Sequence, residues 1–117
     1  MHTNADSRLE TADEAAALLK ALAHPHRLTI VCHLIDGERS VGALVQALGV
    51  GETVVSQHLA VLRRDRLVNP RRAGQTVFYS IANPAARAVV DVLEKHFSAA
   101  GLHPIDHRQI ASAARGG

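Results

Sequence analysis

The sequence is poor in cysteine and in aromatic residues, and both shortages exclude classes of protein. A single cysteine, Cys32, rules out an intramolecular disulfide and therefore a small disulfide-stapled fold. Tryptophan is absent and aromatic residues are only 3% of the chain, so the core must be built from Leu, Val, Ile and Ala. The chain shows no long apolar span and no signal peptide, so we expect a cytoplasmic protein with no membrane partner.

What the sequence does contain fits one helical domain with an uneven charge. Its 117 residues are 47% hydrophobic, which is enough for a single core. A formal net charge of +2 is weak evidence for nucleic acid binding. The distribution is more informative, because acidic residues crowd the first 14 positions and arginines crowd positions 63–72.

Apolar spacing predicts a mainly α fold with a small β-hairpin. We predict a flexible N-terminus over 1–10, a domain over 11–98 and a C-terminal tail over 99–117. The predicted helices are about Thr11–Ala23, His26–Ile35, a third helix capped by Ser40 and ending at Leu48, Thr53–Arg64 and Pro84–Ser98. Alternating residues Leu67–Val68 and Thr76–Ile81 predict two strands joined by a turn at 72–75.

The helix Thr53–Arg64 divides into two unlike faces at the helical pitch. The apolar arc holds Val54, Val55, His58, Leu59, Val61 and Leu62. The opposite face holds Thr53, Ser56, Gln57, Ala60, Arg63 and Arg64. A solvated face usually mixes acidic and basic residues in pairs, whereas short hydrogen-bonding groups followed by arginine suit base edges and phosphates. This pattern predicts a DNA-recognition helix.

The surrounding elements complete a winged helix-turn-helix. The helix ending at Leu48 is joined to the recognition helix by a glycine-containing turn, and the hairpin that follows would form the wing. We predict that Thr53, Ser56 and Gln57 read base edges in double-stranded DNA. The residues predicted to hold the DNA backbone are Arg63, Arg64, Arg71, Arg72 and Gln75. His58 lies on the apolar arc, where packing is the simpler interpretation, and His24 and His26 flank a helix junction.

Four blocks in this order resemble the ArsR/SmtB family of winged-helix repressors. They are Leu18–Leu28, Ser40–Leu44, Ser56–Arg63 and Thr76–Ile81. Within the family, the block from Ile30 to Leu44 is most similar to the BigR/SqrR/HlyU/NolR-like branch. The resemblance implies a homodimer built on the first and last helices that binds an imperfect palindrome and represses transcription. Glu52 departs from the pattern at the DNA face, so the operator sequence does not transfer.

The resemblance also bears on the signal that such a regulator would sense. The block Glu38–Gly42 lacks the cysteines of the family's thiolate metal site. The aligned zinc positions on the last helix, which are Asn83, Ala85, His96 and Ala99, offer one ligand of four. We therefore predict neither of these family metal sites and no cofactor. Persulfide-sensing relatives pair two cysteines, and here the matching positions hold Cys32 and Ser98.

Several interpretations stay open at this point. Cys32 is either a small core residue or a sulfur or redox sensor, with Ser98 a natural or an engineered replacement for the second cysteine. A non-family metal site at His103, Asp106 and His107 would make the chain a metal-responsive repressor. A protein-interaction module with weak DNA binding is the alternative from another class. An enzyme is not predicted, because no nucleophile–base pair, phosphate-binding glycine loop or carboxylate pair is evident.

Overall fold

The computed structural model describes residues 4–97, with side chains described from Leu9 onwards, and shows the predicted mainly α fold. Within these residues the chain forms five helices and three short strands. In chain order they are α1 (Asn4–Leu22), α2 (Pro25–Leu34), β1 (Arg39–Ser40), α3 (Val41–Leu48), α4 (Glu52–Arg64), β2 (Val68–Ala73), β3 (Thr76–Ile81) and α5 (Pro84–Phe97). Ser98 and the predicted tail, including His103, Asp106 and His107, lie outside the described residues.

The first helix begins at Asn4 rather than at the predicted Thr11. The side chains from Leu9 to Ala17 are all exposed, so no buried apolar stripe marks this part of the helix in the sequence. The predicted boundary at residue 10 therefore falls inside α1, whereas the flexibility of the N-terminus stays a prediction. Asp13 and Glu14 would lie in the first turn of a helix that begins at Thr11, but in the structure they lie further along α1.

Helix α2 forms the centre of the core. It begins with Pro25 in its first turn, after His24, whose side chain caps the helix by accepting a hydrogen bond from the His26 backbone N–H. Its last five residues, Ile30–Leu34, are all buried. Around them pack buried residues from every other helix and from the start of the wing: Ala21, Leu22, Leu44, Val55, Leu59, Leu62, Leu67, Val68, Ala86 and Val90.

Helices α3 and α4 form the predicted helix-turn-helix. The Ser40 side chain accepts a hydrogen bond from the Ala43 backbone N–H at 3.0 Å, which confirms the predicted cap of α3. Gly49 ends α3 in the left-handed conformation with φ of 68°, and its N–H donates to the Val45 carbonyl. Gly51 then precedes α4 and provides no side-chain cap.

The recognition helix ends in a hydrogen-bonded turn that directs the chain into the wing. The Leu67 N–H donates to the Leu62 carbonyl at 2.8 Å, and the Arg66 N–H donates to the Arg63 carbonyl at 2.9 Å. These are the two bonds of a Schellman motif, with Arg66 at the left-handed position that glycine usually occupies (φ 63°). Leu62 and Leu67 are both buried, so the apolar contact typical of the motif is also present.

The wing is a three-stranded sheet in the order β1-β3-β2, whereas the sequence predicted two strands. Strand β2 runs to Ala73, so the turn is narrower than the predicted 72–75, and Ala73 pairs with Thr76. Gly74 has a φ of 63°, as the first central residue of a type II′ hairpin turn requires. Pro70 is tolerated within β2 because β2 is an edge strand of the sheet. Strand β1 was missed because two residues carry no alternating pattern.

Helix α5 packs on α2 through only part of the apolar stripe that helical spacing predicts, which is Ala86, Val89, Val90, Leu93 and Phe97. Ala86 and Val90 are buried, and Val89 packs against the same core. By contrast, Phe97 is 55% exposed and Val92 is 53% exposed. Exposed leucines also lie on α1, at Leu9 and Leu19. None of the described helices is long and apolar enough to cross a membrane.

Candidate nucleic-acid interface and the buried cysteine

Helix α4 presents its predicted polar face to solvent. Thr53, Ser56 and Gln57 are all exposed, and with Glu52 and Ala60 they line one shallow groove on the protein surface. On the opposite side, Val55, Leu59 and Leu62 are fully buried in the core. The burial pattern therefore matches the division into two faces that the helical period predicted. The outward side chains are small, neutral and able to donate or accept hydrogen bonds, as contacts with base edges require.

The cationic end of the recognition helix is also exposed. Arg63 and Arg64 form its last turn, where positive charge is favoured by the helix dipole. Arg64 makes a 3.3 Å ion pair with Asp65, its chain neighbour, and both side chains are solvent-accessible. A pair of this kind is weak, so the guanidinium can exchange the carboxylate for a phosphate at little loss of free energy.

Arg71 already has a carboxylate partner in the absence of DNA. Its Nε and Nη2 donate to the two oxygens of Glu38 at 2.8 and 2.7 Å, which is a bidentate pair. Its guanidinium also lies over the Phe78 ring, 4.8 Å from the centroid. The hydrogen bond from Arg71 holds the pKa of Glu38 below its ordinary value. Arg71 therefore reaches across β3, from β2 to the residue preceding β1, and ties the wing to the body of the domain.

The other predicted wing residues are exposed at the hairpin. Arg72 lies on β2 and pairs in register with Val77, while Gln75 lies in the turn. Gln75 also lines a groove with Glu52 and residues at the start of α3. The wing tip and the N-terminal end of the recognition helix thus border a common surface depression. Glu52 brings a negative charge to that surface.

Cys32 lies in the middle of the core and not at a surface. Its side chain has no solvent exposure, and it belongs to the buried segment of α2. Burial, together with the nearby carboxylates of Glu94, Asp36 and Asp91, raises the pKa of Cys32 to about 11. Within residues 9–97, the groups that shift this pKa are burial and carboxylates and include no cation, so these surroundings disfavour the thiolate. The predicted partner position, Ser98, is not among the described residues.

Comparison with known proteins identifies the family. The model of the family described as "Bacterial regulatory protein, arsR family" matches residues 24–70. The transcriptional activator HlyU of Vibrio cholerae is 46% identical over 82 residues, which are 70% of this chain and 76% of that protein. The chain belongs to the ArsR family. It is therefore a transcriptional regulator with a winged helix-turn-helix fold, as predicted.

Solved structures of ArsR-family proteins agree with this assignment. The repressor BigR of Xylella fastidiosa is 42% identical, with a TM-score of 0.72, and the match covers 82% of this chain and 97% of that one. A homodimeric winged helix-turn-helix DNA-binding domain from Mycobacterium bovis is 32% identical, with a TM-score of 0.69, over 80% of this chain and 86% of that one. HlyU and BigR both belong to the branch that the sequence indicated.

Glu38 is the residue at this ArsR-family surface that the sequence did not reveal. It lies 33 positions before Arg71, and nothing in the local pattern links the two. Their contact depends on the pairing of β1 with β3, which brings Arg39 opposite Tyr79. Predicting this contact would have required the order of the strands in the sheet, and a strand of two residues leaves no pattern in the sequence from which to predict that order.

Proposed function

We propose that the protein is a cytoplasmic, homodimeric repressor that binds an imperfect palindrome in double-stranded DNA through helix α4 and the wing. The observation that carries this proposal is the exposed, neutral hydrogen-bonding face of α4, flanked by exposed arginines. Thr53, Ser56 and Gln57 read base edges in the major groove. Arg63, Arg64, Arg71, Arg72 and Gln75 contact the backbone. Among the relatives, HlyU is described as a transcriptional activator and BigR as a transcriptional repressor. We propose repression, as for BigR.

Exposed apolar side chains support the dimer. Leu9 and Leu19 on α1, and Val92 and Phe97 on α5, expose more than half of their surface. Exposed residues of this size on the first and last helices match the interface that the family resemblance implies. A two-fold dimer places its recognition helices about one turn of DNA apart, roughly 34–36 Å.

Binding to the DNA upstream of the protein's own gene tests this proposal. Fluorescence anisotropy at one fixed salt concentration should show tighter binding to that fragment than to a random duplex of the same length. Sedimentation equilibrium of the complex should give two chains per duplex. Equal affinity for both duplexes would reject sequence-specific regulation and favour the protein-interaction alternative. A complex with one chain per duplex would reject the dimer.

Glu38 should limit the contact of Arg71 with DNA. Because Glu38 competes with phosphate for the same guanidinium, we expect Glu38→Gln to raise the affinity for specific and random duplex alike. Arg71→Ala should lower both affinities and reduce the slope of log K against log salt by about 1. Anisotropy titrations over a series of salt concentrations measure both quantities.

The double variant is the control for this pair. If Glu38 acts only through Arg71, Glu38→Gln combined with Arg71→Ala should behave like Arg71→Ala alone. An unchanged salt slope in Arg71→Ala would remove Arg71 from the phosphate contacts and leave it the structural role of holding the wing. If the double variant instead binds more tightly than Arg71→Ala, by the same factor by which Glu38→Gln exceeds the wild type, Glu38 repels the DNA by its charge and does not act through Arg71.

Control of this repressor by sulfur or redox chemistry at Cys32 requires the core to open. The thiol is buried between α2 and its neighbours, and a pKa of about 11 leaves little thiolate at neutral pH. The burial supports the core-residue interpretation. A response to reactive sulfur species would first have to expose Cys32. The rate at which a reagent alkylates the thiol measures this exposure.

Alkylation of Cys32 should therefore be slow and strongly dependent on pH. At pH 7.5 we expect iodoacetamide to modify the folded protein at least ~100-fold more slowly than the urea-unfolded chain, whose thiol has an ordinary pKa of about 8.5. Since the folded pKa is about 11, the folded rate should keep rising up to about that pH, while the unfolded rate levels off near pH 9. Mass spectrometry of timed samples gives both rates. Rapid alkylation of the folded protein at pH 7.5 would instead support a one-cysteine sensor.

A further inference from the structure

Three histidine side chains meet where the start of α2 packs against the recognition helix. His24 and His26 flank Pro25, and His58 comes from the middle of α4. The ring centroids are 4.3 Å apart for His24 and His58, 5.2 Å for His24 and His26, and 5.3 Å for His26 and His58. Each ring offers one nitrogen, and these nitrogens all lie within 4.8 Å of one another. We refer to these residues as the histidine trio.

We propose that the histidine trio binds a divalent transition-metal ion such as Zn²⁺, Co²⁺ or Ni²⁺. Imidazole nitrogen is a preferred ligand for these ions, and three histidines leave a fourth tetrahedral position for water. Tetrahedral ligation at ordinary metal–nitrogen distances of about 2.0–2.1 Å needs nitrogens about 3.4 Å apart, so the rings must draw together when the ion binds. The site links the first turn of α2 to the helix that carries the DNA-binding face.

An orphaned polar atom favours a ligand over simple ring packing. The Nδ1 atom of His26 is buried and has no hydrogen-bond partner among the described residues. A buried polar atom without a partner is unfavourable in a folded protein, whereas bonding to a metal ion would satisfy it. Ring stacking alone would explain the centroid distances but would leave this nitrogen unexplained.

Competing contacts indicate an exchangeable ion and not a permanent one. His24 Nδ1 accepts the capping hydrogen bond from the His26 backbone N–H at 3.0 Å. His58 Nδ1 lies 3.4 Å from Nη1 of Arg27, whose positive charge opposes a cation nearby. Metal binding through these two rings must change their tautomers or displace these contacts. The ion would therefore disturb the α2 cap and release Arg27 from His58 each time it binds.

Metal titration of the full chain tests the proposal without any DNA, so its outcome is separate from that of the proposed function. We expect calorimetry with Zn²⁺ to show one site per protomer whose affinity falls at least tenfold in His26→Gln. Co²⁺ should give the visible absorption of a tetrahedral complex in the wild type and lose it in the variant. His26→Gln is the informative change because the Nδ1 that it removes makes no hydrogen bond within the described part of the chain.

Two controls separate the trio from other histidines of the chain. His96→Gln, on the exposed last turn of α5, should leave zinc affinity unchanged. The double variant His103→Gln/His107→Gln should also retain the site. Zinc binding that is lost in the tail variant and unaffected by His26→Gln would overturn the proposal.

A measurement on the unmodified protein guards against misfolding of the variant. Nitrogen-15 NMR of the histidine rings should show Zn²⁺ shifting the signals of His24, His26 and His58 together. Shifts confined to other histidines, or no shifts at all, would overturn the proposal whatever the variants show.

Discussion

Replacing Gln57 with alanine should weaken binding to the operator by about 1–3 kcal/mol while leaving binding to random duplex almost unchanged. Gln57 is exposed on the outward face of α4, beside Ser56 and one turn after Thr53. Its amide both donates and accepts, so it can make a bidentate contact with an adenine edge, and alanine would abolish this contact. The change leaves every arginine in place and therefore preserves the electrostatic part of binding.

Competition experiments with single base-pair changes in the operator measure this loss of specificity. Wild-type protein should discriminate against one particular substitution, and Gln57→Ala should bind both versions equally. The matched control is Arg72→Ala on the wing, which should weaken specific and random duplex by the same factor. Equal losses on both duplexes in Gln57→Ala would show that Gln57 holds the backbone and does not read a base.

Replacing Leu62 with alanine should lower the free energy of unfolding by about 2–5 kcal/mol. Leu62 is fully buried, packs in the central core, and lies at the end of α4 where its carbonyl accepts from Leu67. The truncation removes apolar contacts and leaves a cavity between the recognition helix and the wing. Since a domain of this size is stabilised by only about 5–15 kcal/mol, this loss is a large fraction of the total.

Thermal unfolding followed by circular dichroism should show a midpoint lower by at least about 8 °C. The two proteins must be compared at one concentration, because the proposed dimer would make the midpoint depend on concentration. Gln57→Ala is the control on the same helix, and its exposed position predicts almost no change in midpoint. An unchanged midpoint in Leu62→Ala would mean that the core at the end of α4 collapses around the smaller side chain.

The sequence predicted those parts of the molecule that local signals determine. The Ser40 side chain begins α3 by accepting from the Ala43 N–H, and Gly49 ends it by donating its N–H to the Val45 carbonyl. Because both hydrogen bonds join residues no more than four positions apart, the cap and the stop are visible in the sequence. The two faces of α4 follow from one helical period. The length of α1 was underestimated because its side chains from Leu9 to Ala17 are exposed, so no buried apolar stripe marks this part of the helix in the sequence.

Other features depend on contacts between distant segments. The pair of Glu38 and Arg71 and the strand β1 depend on how the chain folds back across β3. The burial of Cys32 shows the same limit, since an apolar helical stripe does not reveal whether carboxylates from α5 approach the thiol. The histidine trio combines a visible His-Pro-His spacing with His58, and only the packing of α4 on α2 joins them.

The sheet determines how such a regulator can move. Ser40 is at once the last residue of β1 and the cap of α3, and β1 is paired with the central strand of the wing. The wing and the helix-turn-helix therefore share a residue and are fastened a second time by Glu38 and Arg71. In the proposed dimer, we expect each protomer to present its DNA-binding face as one inflexible unit. A signal would then act on the spacing or the angle between two such units, and the DNA would respond to their mutual alignment more than to any bending of the hairpin.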